Sequence, residues 1–229
     1  MIAKRVIVVV PAYNEESTIV GVIRGLKRRG FTRLIVVDDG SSDRTGELAS
    51  REGVIRLRHI LNRGLGGALG TGISAALRLG AEVIVTFDAD GQHDPNDIVR
   101  LLEPIEREEA EVVIGSRMLN PMGMPYRRRF ANWIANMVTY LLFGGWTTDS
   151  QSGLRAFSSQ AAARMQIMTN GMEVSSEIIA EAVRNRLKRK EVPVKVIYTE
   201  YSLSKGQSFK VGLQTLMKLV LTRVQRSTL

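Results

Sequence analysis

The chain contains no cysteine, which excludes disulfides and thiolate metal centres and fits a reducing compartment. No run of about 18 or more uninterrupted apolar residues occurs, so a membrane-spanning helix is not expected. Residues Ile2 to Val10 lead straight into a strand, and no signal peptide is expected either. Aromatic residues are scarce at 6%, and none is interleaved with the basic clusters in the way that single-stranded nucleic-acid binders require. With 229 residues, 44% of them hydrophobic and 24% charged, the composition is that of a soluble globular protein. Its length suits one large α/β domain with additions better than two ordinary ones.

What the sequence has in excess is positive charge. The net charge of +9 lies in separate clusters at Arg24 to Arg29, Arg127 to Arg129 and Arg184 to Lys190. No nucleic-acid-binding signature accompanies them. An anionic membrane surface or phosphorylated ligands account for them better than nucleic acid does.

The chemistry concentrates in Val83 to Pro95. The stretch opens as an apolar run of the kind a strand buried on both faces shows, then ends in Asp88-Ala89-Asp90-Gly91-Gln92. Alternate strand residues point the same way, so Asp88, Asp90 and Gln92 can present three oxygen groups to one point at the carboxyl edge of a sheet. That donor set suits a hard cation, Mg2+ or Mn2+, shared with phosphate oxygens. A polar turn capping the next helix, with Asp94 as N-cap and Pro95 at the first position, explains the end of the stretch. It does not explain two adjacent carboxylates, which favour a cation between them.

Around this stretch, strands are expected at Lys4 to Val10, Leu34 to Val37, Val54 to Leu57 and Val112 to Arg117. The intervening helices run to about Arg29, from Ser42 or Asp43 as N-cap, through Ala75 to Leu79, and over Pro95 to Glu106. Strict alternation argues for a parallel sheet with helices on both faces. Gly64-Leu65-Gly66 begins like a dinucleotide fingerprint, but Leu69 stands where the third glycine belongs, so a dehydrogenase is rejected. These glycines either let the backbone and Arg63 approach something closely or simply form a flexible start to a helix.

Beyond Arg117 the alternation breaks. Phe130 to Phe143 reads as a helix with Asn132, Asn136 and Thr139 on one stripe and Trp133, Ile134, Met137, Tyr140, Leu141 and Phe143 around a broad apolar surface. Preceded by three arginines and too short to span a bilayer, it suits a membrane interface; a core helix packed on the sheet is the alternative. Phe209 to Arg226 repeats the pattern with Lys210, Gln214, Lys218, Thr222 and Arg226 at steps of four. A helix from Glu173 to Leu187 and a strand from Val192 to Tyr198 lie between them. The loop Tyr201 to Ser208 is either an ordinary solvated loop or a lid bringing Lys205 to a phosphate.

Four motifs in order, Val10-Pro11-Ala12-Tyr13-Asn14-Glu15, Val37-Asp38-Asp39-Gly40-Ser41-Ser42-Asp43, Asp88-Ala89-Asp90-Gly91-Gln92 and Asp149 to Ala156, resemble those of family 2 glycosyltransferases. The closest similarity is to the polyprenyl-phosphate branch that includes dolichyl-phosphate mannose synthases. Each motif alone is weak, but together they cover about residues 4 to 208. The resemblance implies an α/β GT-A fold, a mostly parallel sheet flanked by helices, with amphipathic interfacial helices. With the two amphipathic helices read above, the chain divides into a catalytic domain over 1–208, with an interfacial helix at 127–145 inside it, and a membrane-associating helix at 209–229. The resemblance also implies a nucleotide-sugar donor, GDP- or UDP-linked, and a divalent metal on Asp88, Asp90 and Gln92. Pro11, Tyr13, Asn14, Glu15, Asp38, Asp39, Gly66 and Ala89 would line the donor pocket, with Asp39 near the base or ribose and Arg117 and Lys205 on the donor phosphates.

A polyprenyl or dolichyl monophosphate is already anionic at neutral pH, its second pKa being about 6, and needs no strong general base. It needs cations, for which Arg117, Arg127, Arg128, Arg129 and Arg155, with Ser152, are the candidates. Asp149 and Glu177 are the candidate bases if the acceptor is instead a hydroxyl of a glycan or glycolipid. In-line displacement would invert the sugar. A non-catalytic nucleotide-sugar scaffold is the reading of another class, and the intact carboxylate pair argues against it. Many relatives continue into transmembrane helices; this chain either attaches peripherally at the cytoplasmic face of a membrane, associates with a membrane-protein partner, or is cut short of them.

Overall fold

The computed structural model describes residues 5–122 and 124–197. The expected 201–208 loop with Lys205 and the 209–229 helix therefore lie outside the described residues. A seven-stranded sheet in the order β3-β2-β1-β4-β6-β5-β7 is built from β1 (Val6–Ala12), β2 (Leu34–Asp38), β3 (Ile55–Arg58), β4 (Val83–Thr86), β5 (Val112–Ser116), β6 (Arg155–Ser158) and β7 (Arg189–Pro193). Helices α1 (Ile19–Arg28), α2 (Thr45–Arg51), α3 (Leu65–Arg78), α4 (Asp97–Glu106), α5 (Tyr126–Phe143), α6 (Ser159–Arg164) and α7 (Val174–Arg184) complete it.

The unbroken apolar runs of β1, β2 and β4 make central strands because both of their faces are covered. Val8, Val10, Val36 and Val85 enter a core with α1 and α4, while Ile7, Val9, Val37 and Ile84 enter a second core with α3 and α7. Chain direction reverses its spread at β1. The strands step outward through β2 to β3, then β4 returns to the other side of β1. The crevice at this switch, outside the carboxyl ends of β1 and β4, is where open α/β sheets bind ligands.

Several expectations are corrected. The sheet is mostly parallel, as expected, but β6, unforeseen as a strand, lies antiparallel between β4 and β5. Its start thus meets the ends of both neighbours, with Arg155 opposite Thr86 and Ile114. The expected strand over 192–198 is β7 three residues earlier, and Val196 forms only an isolated bridge to His93. Asp94 is not the cap of α4, which starts after Asn96; its carboxylate instead takes the Asn96 N–H in the preceding turn. Arg44 occupies the N-cap position of α2, and Asp43 accepts the Thr45 N–H from one residue further out.

The largest departure concerns α5. Its buried residues are Asn136 and Thr139, whereas Phe130, Trp133, Ile134, Tyr140 and Leu141 are exposed. The helix is not packed on the sheet through its apolar side; its polar stripe faces the protein. Among the described residues no helix is long and apolar enough to cross a membrane.

Candidate active site

Asp88 and Asp90 leave the end of β4 at the switch crevice. Backing them is the Gly153 backbone, where any Cβ would overlap the Asp88 carboxylate, while Thr86 donates its hydroxyl to the Gly153 carbonyl at 2.7 Å. Gln92 folds back on Asp90, its backbone N–H on Oδ1 at 2.9 Å and its carboxamide on Oδ2 at 2.6 Å. His93, which the sequence reading did not single out, is buried with its ring edge-on to Phe87. Its Nε2 lies 3.1 Å from Asp88 Oδ2. The clue was in the motif itself, but strand alternation points residue 93 away from the metal side and hides it.

The electrostatics separate the pair. Burial works against ionisation of Asp88, but the hydrogen bond and charge of His93 with the charges of Arg117 and Arg155 outweigh it and hold the carboxyl below the ordinary carboxylate value. Asp90 is pushed up, first by burial, then by the charge of Asp88, with Glu15 adding to it. Two carboxylates of which one resists ionisation beside the other form the donor set that a hard cation relieves. Among the described residues no cluster of three or more His, Asp or Glu side chains could hold a metal. The carboxylates of Asp88 and Asp90 therefore fit Mg2+ or Mn2+ only as a partial shell, to be completed by water and phosphate, which is how Mg2+ is ordinarily held; Gln92 turns its amide N–H, not its oxygen, onto Asp90.

On the other side of the crevice Arg117 leaves β5 and grips Asp149 with its N–H at 2.9 Å, Nε at 2.7 Å and Nη2 at 2.7 Å. Asp149 is completely buried, so both its oxygens serve this forked pair. Arg155 and Ser152 are also buried, behind the crevice rather than in it. Arg155 donates to the Ser150 carbonyl at 2.8 Å. Burial pushes its guanidinium down to about 10, against the charges of Asp88 and Asp149, so it stays charged at neutral pH. Direct contact of Arg155 or Ser152 with an acceptor is not what this burial supports; Arg155 contributes its charge from behind. Glu177, the other candidate base, accepts the Met168 and Thr169 N–H groups at 3.0 Å and holds that loop.

At the β1 and β2 side, Pro11 and Ala12 are buried and Tyr13 is exposed. Asn14, in a left-handed conformation at φ 54°, accepts the Ser42 N–H at 2.9 Å, and the Glu15 N–H reaches Thr45 Oγ1 at 2.7 Å. These bonds knit the first two motifs into one wall. Asp38 accepts the Ser41 N–H. Asp39 is held by its own chain, with Oδ1 on His59 Nδ1 at 2.6 Å and the Arg63 N–H at 2.9 Å, and Oδ2 on the Gly64 N–H at 2.7 Å. It shapes the 59–64 turn beside the crevice. The close approach that the glycines permit is internal: Gly66 donates to Asn170 O at 2.8 Å, and a Cβ there would overlap Thr169 O.

Asp88, Asp90, Gln92, Glu15, Arg117 and Asp149 thus come together, whereas Gly66 faces the 169–171 loop. Arg127, Arg128 and Arg129 stand in the first turn of α5. The sheet order with the carboxylate pair at its switch point is the GT-A fold of nucleotide-sugar transferases. The chain belongs to glycosyl transferase family 2, whose sequence profile matches residues 7–164, and it is accordingly a glycosyltransferase. It is 38% identical over 246 residues to the UDP-N-acetylglucosamine–dolichyl-phosphate N-acetylglucosaminyltransferase of Methanococcus voltae, with 98% of each chain covered. It is 32% identical to the polyprenol monophosphomannose synthase of Mycolicibacterium smegmatis, covering 88% of this chain and 81% of that one. Among solved structures, the glucosyl-3-phosphoglycerate synthase of Mycobacterium tuberculosis in complex with Mn2+, UDP-glucose and phosphoglyceric acid matches with a TM-score of 0.75 at 20% identity, over 96% of this chain and 80% of that one. That last likeness concerns the fold.

Proposed function

We propose that the protein transfers a sugar from a nucleotide-diphosphate donor to a polyprenyl phosphate, with inversion, while attached peripherally to the cytoplasmic face of a membrane. The observation that carries the acceptor is the commitment of both candidate bases: Asp149 is locked to Arg117 and Glu177 to its loop. A hydroxyl acceptor would need such a base, whereas a phosphate oxygen is already a nucleophile. Both relatives described above are named for polyprenyl-type phosphate acceptors, which supports the same reading. The donor end is open between UDP- and GDP-sugars, and the name of the Methanococcus relative makes UDP-N-acetylglucosamine the first to try.

Asp88 and Asp90 would hold Mg2+ or Mn2+, which when bound neutralises the donor diphosphate as Lewis acid. The wall of residues 11–16 and 38–42 shapes the nucleotide side. Arg117, oriented by Asp149, directs the acceptor phosphate toward the anomeric carbon; a new carbon–oxygen bond forms to the phosphate as the bond to the nucleoside diphosphate breaks. Three arginines at the positive end of α5's dipole are unfavourable within the protein itself, and an anionic lipid surface offsets that cost. The exposed apolar face of the same helix suits the acyl boundary.

The test is a donor screen by thermal shift with Mn2+, since a ligand of the folded state raises its melting temperature, followed by transfer to polyprenyl phosphate in detergent. Asp90→Ala should abolish metal-dependent donor stabilisation and slow transfer at least ~100-fold, the equivalent of a few kcal/mol of charge stabilisation. Unchanged donor binding in that variant would sink the metal assignment. Transfer only to hydroxyl acceptors would replace the acceptor reading.

A further inference from the structure

Asn136 sits at the centre of α5's inward stripe, 3% exposed, and its carboxamide bridges the two peptide groups that flank Asp149. Nδ2 donates to the Thr148 carbonyl at 2.6 Å, and Oδ1 accepts the Ser150 N–H at 2.8 Å. The partners fix the orientation of the amide, since a carbonyl only accepts and a backbone N–H only donates. Asp149, held between them, is the residue that grips Arg117 through its backbone and side chain. From the exposed apolar face of α5 to Arg117 the path is therefore one side chain, one residue of backbone and one carboxylate. The next tether on the helix touches no backbone of that loop: Thr139 Oγ1 meets Ser176 Oγ of α7 at 2.7 Å, and only the Gln151 side chain, 3.5 Å from Ser176 Oγ and 3.1 Å from Ser150 Oγ, links it back.

We propose that Asn136 is a positioning residue for the acceptor side of the site, and that it transmits the seating of α5 on a lipid surface to the Asp149–Arg117 pair. The inference rests on the reading of α5 as a lipid-facing helix and of Arg117 as a guide for the acceptor phosphate. Helix displacements of about 1–2 Å are a common means of passing a state from a surface to a site. A carboxamide bonded on both sides of Asp149 carries such a displacement where an apolar contact would slip. The arrangement explains why a polar residue is buried on a helix that leaves its aromatic residues outside.

The experiment compares the full chain with Asn136→Ala and Thr139→Val, the second removing an α5 tether that bypasses the Thr148 and Ser150 backbone. In steady-state transfer, Asn136→Ala should raise the acceptor KM or lower kcat about tenfold while the donor KM stays within about twofold; Thr139→Val should change neither, even where its melting temperature falls as far. Hydrogen exchange is then followed with and without phosphatidylglycerol-rich vesicles free of acceptor. In the wild type the vesicles should slow exchange in both α5 and residues 147–152. In Asn136→Ala only α5 should slow. Equal loss of donor and acceptor constants, vesicle protection of 147–152 that survives Asn136→Ala, or no protection of 147–152 in the wild type overturns the proposal. An α5 that ignores vesicles overturns both it and the membrane reading. Intact coupling in an enzyme that uses no polyprenyl phosphate overturns the acceptor reading alone and leaves the clamp standing.

Discussion

Two helices of this molecule carry apolar and polar stripes and place them oppositely. Helix α4 buries Ile98, Leu101, Leu102 and Ile105 against the sheet, while α5 buries Asn136 and Thr139 and leaves Phe130, Trp133 and Leu141 outside. Periodicity identifies stripes in both, but which stripe turns inward depends on what the neighbouring element offers. The sheet offers α4 an apolar surface. The 148–150 backbone and Ser176 offer α5 carbonyl, N–H and hydroxyl groups, and only a polar stripe satisfies them. The apolar side of α4 therefore contributes to folding, whereas that of α5 stands exposed.

That contrast can be broken by substitutions ranked on their effect on stability. The largest is Leu101→Ala, at a completely buried position of α4. It should cost about 2–5 kcal/mol and lower the melting temperature by roughly 4–20 °C in a reversible thermal melt. A loss no greater than that of a surface substitution would mean α4's apolar stripe is as unpartnered as α5's.

Smaller, but above the level of surface noise, is Asp43→Asn. Asp43 takes the Thr45 N–H at 2.9 Å and hydroxyl at 2.5 Å on one oxygen, and the Glu16 N–H at 3.1 Å on the other, joining the turns after β1 and β2. Burial alone pushes its carboxyl up, but the bonds from Thr45 and Glu16 outweigh it and hold the group below the ordinary carboxylate value. A depressed folded-state pKa contributes stability that is present above the unfolded value of about 3.9 and lost as pH falls through the folded one. The substitution should cost about 1 kcal/mol at neutral pH, because an amide keeps one accepting oxygen and turns a donor toward the partner of the other, and remove that part of the acid-limb decline. Denaturant titrations at neutral and acid pH measure both; an acid limb identical to the wild type would assign the decline to other carboxylates. Partial exposure alone thus does not make a residue idle, since what its side chain holds decides its effect.

Much of the fold was legible because β1, β2 and β4 are apolar on both faces, which only a sheet covered on both sides explains. The carboxylate pair at the crevice was legible for the related reason that Asp88 and Asp90 end such a strand abruptly. What was hidden depends on contacts distant in the chain. The antiparallel insertion of β6 follows from the pairing of Arg155 with Thr86 and Ile114, which no local pattern encodes. Burial of Asp149 by Arg117, which removes a candidate base, joins residues 32 positions apart. Asp39 presents a free carboxylate to sequence reading, whereas in the structure three bonds from His59, Arg63 and Gly64 already fall on it. The inward turn of Asn136 was the least legible, since a polar residue every few positions ordinarily marks the wet side of a helix.

The smallest expected effect on stability is the most decisive for the contrast. Leu141 is 73% exposed and Phe130 64%, and each changed to glutamine should move the unfolding free energy by no more than about 0.5 kcal/mol. A lipid surface would react differently, because seating a Leu or Phe side chain in an apolar layer is worth about 1.5–3 kcal/mol, so each substitution should weaken vesicle partitioning about tenfold or more. Paired melts and flotation assays on anionic vesicles separate the cases. Lost stability with unchanged flotation would mean that this face is covered by the protein itself, and α5 would then be a helix of the same kind as α4. Unchanged stability with lost flotation would show that one domain folds on α4's apolar stripe and binds through α5's.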